Sequence, residues 1–150
     1  MIVGIHHIAI GVPDFDQGLA FYTEVLGLEV VQQSEFAGDM PLADAAIGLD
    51  DVAARMAMLK ASNAYIELWE YSHPEPRDQR ARPNDYGYVH FALQVDGITE
   101  EYERLTAAGM QFVGPPVEFG TSAAVYGRDP FGNVIEIYEI RDPDIAQLER

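Results

Sequence analysis

The sequence predicts an α+β fold made of two βαβββ modules packed against one another. The segment Ile5-His-His-Ile-Ala-Ile-Gly-Val12 returns as Tyr88-Val-His-Phe-Ala-Leu-Gln-Val95, with a histidine, an alanine and a valine in matching places. Each copy leads into an acidic residue (Asp14, Asp96), a stretch of helical period and a glycine (Gly27, Gly109), at offsets of 83 residues for the histidines and 82 for the glycines. Strand-like segments follow in both halves. Such self-similarity is read before local propensity because it fixes the unit of the architecture. One βαβββ unit can cover only one face of its sheet with its own helix, so two must pack together.

In the first strand, Ile5 to Val12, the period of two puts His6, Ile8, Ile10 and Val12 on one face and His7, Ala9 and Gly11 on the other. The first face is bulky and suits a helix, whereas the second is small apart from His7. Pro13-Asp14 ends the strand, and Asp14 with Gln17 resembles a capping box. Phe15, Leu19, Tyr22 and Leu26 form an apolar stripe that Gly27 closes. A strand follows over Leu28–Phe36, then a loop over Ala37–Asp51 of the kind that covers a site, with a short helix around Leu42–Ile47. Val52–Ala61 and Ala64–Tyr71 form a hairpin around Ser62-Asn63. Tyr65, Glu67, Trp69 and Tyr71 share a face of its second strand, opposite Ile66 and Leu68.

The first module thus covers about 3–71 and a linker rich in proline and arginine about 72–86. The second module covers about 87–140 and a polar tail 141–150, all within one domain. In the second module His90, Ala92 and Gln94 repeat the parity of His7, Ala9 and Gly11. A helix runs over Ile98–Ala108 with Ile98, Tyr102 and Leu105 buried. A strand over Gln111–Phe119 is interrupted by Pro115-Pro116, and Ala123–Gly127 turns through Asp129-Pro-Phe-Gly-Asn133 into Val134–Ile140. On this last strand Val134, Glu136 and Tyr138 share a face. The faces carrying His7, Glu67, His90 and Glu136 are then expected to line a common concave interior.

The formal net charge of −16 argues against a nucleic-acid partner or an anionic membrane, because phosphates are repelled. The absence of cysteine excludes disulfides and fits a reducing compartment. No apolar run reaches membrane-spanning length and the N-terminus has no basic leader, so the expected setting is the cytoplasm.

Glu67 and Glu136 stand mid-strand in segments of core character. A buried carboxylate without a partner costs several kcal/mol, so protonation, an arginine or a metal ion has to compensate it. Arg55 and Arg128 are the candidate arginines. With one histidine and one glutamate from each half on the inner face, the set suits one divalent ion of borderline softness, namely Ni, Co, Zn, Mn or Fe.

These residues, the paired modules and Asp129-Pro-Phe-Gly-Asn-Val-Ile-Glu-Ile-Tyr138 resemble the vicinal oxygen chelate superfamily. That group includes glyoxalase I, methylmalonyl-CoA epimerase, extradiol dioxygenases, and fosfomycin and bleomycin resistance proteins. The resemblance extends to about Glu139. It implies a shared, incompletely closed barrel, metal ligands His7, Glu67, His90 and Glu136, a small-molecule substrate and a homodimer. His6 adjoins the first ligand, but its parity assigns it to the helix side.

Four protein ligands suit redox-neutral proton transfer beside a carbonyl better than oxygen chemistry, which needs more open positions. Similarity to glyoxalase I and the epimerase implies a lyase or isomerase with Glu136 or Glu67 as catalytic base. In the epimerase family the strand before the Glu67 strand carries a second acid, whereas this chain has Arg55 there. Arg55 is instead a candidate clamp for a substrate carboxylate, and Tyr65, Trp69 and Tyr138 are candidates for an aromatic wall around the substrate. Two other classes stay open. An iron-dependent extradiol-type dioxygenase would use His7, His90 and Glu136 alone, and a drug-binding resistance protein would need no metal.

Overall fold

The computed structural model describes residues 1–148. The chain divides into two compact units, Met1–Asp78 and Gln79–Arg150. The first contains β1 (His7–Gly11), α1 (Phe15–Ala20), β2 (Glu29–Ala37), α2 (Pro41–Ile47), β3 (Ala53–Lys60) and β4 (Tyr65–His73). The second contains β5 (His90–Gln94), α3 (Ile98–Ala107), β6 (Gln111–Phe112), β7 (Val117–Glu118), β8 (Ser122–Arg128) and β9 (Val134–Ile140). Each unit is an open sheet, and the fold class is α+β.

In the first unit the strand order is β1-β4-β3-β2. The edge strand β1 runs parallel to β4 and the other pairs are antiparallel. Ile10, Ile66, Leu68, Ala57 and Leu59 are buried on the face that takes α1, together with Phe15, Phe21 and Tyr22. Gly18 lets the helix approach closely: a Cβ there would meet Val12 at 3.0 Å and Leu68 at 3.2 Å. Asp14 caps α1, its Oδ1 accepting from the Gln17 amide at 2.9 Å.

The apolar stripe expected for this helix changes phase. After Ala20 the chain takes one π-helical turn over Phe21–Val25, closed by a Leu26 amide to Phe21 carbonyl bond of 3.1 Å. The wider turn admits one more residue. Phe21 and Tyr22 are therefore both buried, while Leu19 and Leu26 are only half-buried. The expected short helix in the loop is α2, which starts on Pro41 and ends on Gly48 in the left-handed region. Asp44 ties this loop to the sheet, accepting from the amides of Asp51 at 3.2 Å and Val52 at 2.9 Å.

In the second unit the order is β5-β9-β8-β6, with β7 also paired to β8. The interrupted strand thus forms two short segments on either side of its prolines. Helix α3 buries Ile98 and Leu105, and Tyr102 lies half-buried against Phe112 with ring centroids 4.9 Å apart. The turn from β8 into β9 is held by Asp129, only 2% exposed. Its Oδ1 accepts from the amides of Phe131 at 2.9 Å and Asn133 at 2.8 Å, and its Oδ2 from the Asn133 side chain at 2.8 Å. Gly132 supplies the positive φ of 96°. This turn sets the register Arg128↔Val134 and hence Tyr126↔Glu136.

Candidate functional site

Each unit brings one histidine and one glutamate together by the same register. In the first, His7 pairs with Tyr65 and Ala9 with Glu67 across the parallel β1–β4 ladder. In the second, His90 pairs with Val134 and Ala92 with Glu136 across β5–β9. The alanine opposite each glutamate leaves room for the histidine to lean along the strand. His7 Nε2 reaches Glu67 Oε2 at 3.3 Å, and His90 Nε2 reaches Glu136 Oε2 at 3.4 Å. The glutamate side chains are only 16% and 17% exposed.

Neither carboxylate is matched by the arginine considered for it. The Arg55 guanidinium binds Asp16 through both oxygens at 2.7 and 3.1 Å and lies 4.2 Å above the Phe15 ring. Arg55 pairs with Glu70 across β3–β4, so it stands on the helix face, opposite Glu67. It is therefore not placed to clamp a substrate beside Glu67. Asp16 and Arg55 stabilise each other's charged forms, lowering the carboxyl pKa and raising that of the guanidinium. Arg128 donates to the backbone carbonyls of Gly132 and, at 2.9 Å, Ala81.

Donor chemistry and spacing both suit a divalent cation. Adjacent ligands at about 2.1 Å from an ion stand roughly 3.0–3.4 Å from one another, octahedral to tetrahedral. The two His–Glu separations match that range. Among the described residues no group of three or more His, Cys, Asp or Glu is assembled as a metal site, so each unit by itself supplies a pair.

The aromatic candidates sit beside these pairs on the same sheet faces. Trp69 donates from Nε1 to Glu67 Oε2 at 3.1 Å and packs between Phe36 and Tyr71, at centroid distances of 5.3 and 5.1 Å. Burial, with the Glu67 charge second, raises the pKa of the Tyr71 phenol. Tyr138 is half-buried, paired with Gln94 and Ala124. Tyr65 stacks on His6 with centroids 4.9 Å apart.

His6 differs from the expectation. His6 stands at the end of the ladder, its carbonyl accepting from the Tyr65 amide at 3.0 Å, and no strand partner lies beyond it to hold its side chain to the parity. The His6 ring lies over Tyr65, and its Nδ1 is 2.9 Å from His7 Nδ1.

Two further features went unread in the sequence. Tyr126 stands cross-strand from Glu136, with its hydroxyl 3.4 Å from His90 Nε2. Burial and the Glu136 charge raise its pKa. Counting back symmetrically through the Asp129–Asn133 turn would have found it. The second feature is a repeated carboxylate three residues after each site glutamate, on the opposite face. Glu70 accepts from the Phe15 amide at 3.2 Å, and Glu139 from the Gly97 amide at 2.6 Å. Both close the N-terminal end of their unit's helix, where unpaired amides favour an anion. The echo of Glu67-Leu-Trp-Glu70 in Glu136-Ile-Tyr-Glu139 was the signal.

Residues 4–137 match the family model for the glyoxalase/bleomycin resistance protein/dioxygenase superfamily. The chain belongs to this superfamily. It is 34% identical to a 2-epi-5-epi-valiolone epimerase from an Actinomyces species, over 92% of this chain and 80% of that protein. It is 30% identical to the lactoylglutathione lyase of Salmonella typhimurium, over 91% of this chain and 92% of the relative. Among solved structures, a glyoxalase family protein from Bacillus cereus superposes with a TM-score of 0.84 at 26% identity, covering 93% of this superfamily member and 95% of that chain. No helix among the described residues is long and apolar enough to cross a membrane.

Proposed function

We propose that this chain is a divalent-metal-dependent epimerase acting on the carbon next to a carbonyl group in a small, hydroxylated substrate. The observation that carries the reading is the duplicated His–Glu pair. Two mostly buried carboxylates, each beside an imidazole Nε2 and matched by neither candidate arginine, have the donor chemistry of a metal centre. His7, Glu67, His90 and Glu136 would hold the ion, which when bound supplies Lewis-acid stabilisation of negative charge on an oxygen.

The residues themselves account for the proton. Glu67 and Glu136 are the carboxylates available as base and acid, since the β3 residues opposite and diagonal to Glu67 on its own face are Met58, Met56 and Lys60, none of them an acid. One glutamate removes the proton at carbon and the other returns it, which inverts that centre. The Trp69 indole can only donate, so it holds Glu67 as an acceptor. Tyr126 can donate to or accept from the His90–Glu136 pair. Trp69, Tyr65 and Tyr138 offer aromatic walls to the substrate's carbon frame. The epimerase relative supports this reaction and a cyclic polyhydroxy ketone as substrate class. The lyase relatives support a second reading, in which one glutamate moves the proton between adjacent carbons of a glutathione adduct.

A homodimer is part of the same proposal: Ile2, Val3 and Ile5 are exposed just before the edge strand β1, and Val31 is exposed on the opposite edge strand β2, apolar side chains that a second copy could cover. The test of function is deuterium incorporation. In D2O, the metal-loaded protein should label a keto-cyclitol at the carbon beside its carbonyl. Glu67→Ala, Glu136→Ala or prior chelation should each abolish labelling. Labelling of lactoylglutathione alone would select the lyase reading. Labelling of neither compound, or exchange indifferent to both glutamates, would refute the assignment.

A further inference from the structure

We propose that His6 is a positioning residue for the ligand His7, and that this support exists in only one of the two halves. The inference rests on the metal-centre reading above and deepens it.

Two imidazole Nδ1 atoms 2.9 Å apart can share one proton only, so one ring must donate and the other accept. An imidazole that offers its Nε2 lone pair to a cation carries its proton on Nδ1. His7 Nε2 faces Glu67. When it serves as a ligand, the Nδ1 proton of His7 therefore points at His6 Nδ1, which takes it as a hydrogen bond. His6 must then be the tautomer protonated on Nε2. Its ring is held for that task by the stack on Tyr65, at 4.9 Å and 24°. Tyr65 in turn pairs with His7 across the β1–β4 ladder, so the three rings form one connected group.

The second half lacks this arrangement. The residue before His90 is Val89, whose side chain offers no acceptor. Among the described residues, His90 Nδ1 is buried with no hydrogen-bond partner. The duplicated pairs are thus chemically unequal: the His7 ring is oriented from behind, whereas His90, whose Nε2 would face the ion, has no partner on its Nδ1. Outer partners of a ligating histidine fix its tautomer and raise its basicity, and their loss costs about 10- to 100-fold in metal affinity. The half-open position of His7, 40% exposed, puts His6 near the lower bound.

The test uses zinc as probe on the full chain. Zinc affinity is measured by chelator competition for the wild type, His6→Phe and His6→Asn, and nitrogen-detected NMR reports the His7 ring. His6→Phe keeps a ring against Tyr65 but removes the acceptor, and should weaken zinc by about tenfold. His6→Asn places Oδ1 where Nδ1 stood and should restore most of the affinity. In the zinc-loaded wild type, His7 should show a protonated, hydrogen-bonded Nδ1, and that proton should lose its bond in His6→Phe. Equal zinc affinity in all three proteins, or an unchanged Nδ1 proton signal in His6→Phe, would overturn the role of His6 alone. A wild-type chain that takes no zinc at His7 would overturn the metal centre as well.

Discussion

Replacing Asp129 with alanine tests how far the candidate site depends on a single turn. Its carboxylate receives two backbone amides and one side-chain amide at 2.8–2.9 Å, and it is 2% exposed. A hydrogen bond to a charged group is worth about 1.5–3 kcal/mol, and a buried donor left without its acceptor costs about 1–3 kcal/mol. Phe131 and Asn133 are only half-buried, so water can reach some of the freed amides. Taking about 1 kcal/mol for each bond gives a loss of roughly 3 kcal/mol. For a chain of this length that lowers the melting temperature by about 6–12 °C. The same turn fixes Tyr126 opposite Glu136, so zinc affinity should fall along with stability. Asp129→Asn keeps the two backbone acceptances but sets an amide against the Asn133 amide, and should lose about half as much. Urea and thermal unfolding of the metal-free chain, read by circular dichroism, measure both variants. A melting temperature for Asp129→Ala within about 2 °C of wild type would refute the view that this carboxylate organises the turn.

Other outcomes follow from the same geometry. Arg55→Ala should leave kcat and KM of the proposed reaction unchanged, because its guanidinium is engaged with Asp16 on the helix face; a raised KM would restore it as a substrate clamp. Tyr126→Phe should lower kcat about tenfold while the fold is kept, as measured by deuterium exchange and circular dichroism. Glu139 makes acid stability sensitive to its ionisation. The Gly97 amide, assisted by Arg141, holds its folded pKa below the ordinary 4.5, so its stabilisation is full above that value and disappears as the pH falls through the lowered one. Glu139→Gln should therefore flatten this part of the acid limb of a melting-temperature profile. An acid limb of unchanged slope would remove Glu139 from the account of helix capping.

The period of two is local, so the strand faces were legible: Glu67 and Trp69 opposite Ile66 and Leu68, Glu136 opposite Ile135 and Ile137. The helix stripe was legible only in part, because a π-turn forms where burying both Phe21 and Tyr22 outweighs regular winding, and no residue type announces that balance. His6 was misassigned because it stands at the very end of the ladder, where stacking on Tyr65 rather than strand parity places its ring.

Arg55 shows the other limit. A guanidinium near a buried carboxylate in sequence reads as its counterion, but pairing across β3–β4 turns it toward Glu70 and Asp16. By itself, then, the sequence determined the doubled βαβββ plan, the residues on each face within the regular strands and the histidine and glutamate that each half contributes, since repetition and alternation are properties of the chain. Only the tertiary structure decided which partner each of those side chains meets. Strand register and helix approach join residues such as Tyr126 and Glu136, or Glu139 and Gly97, and those contacts depend on packing rather than on order along the chain.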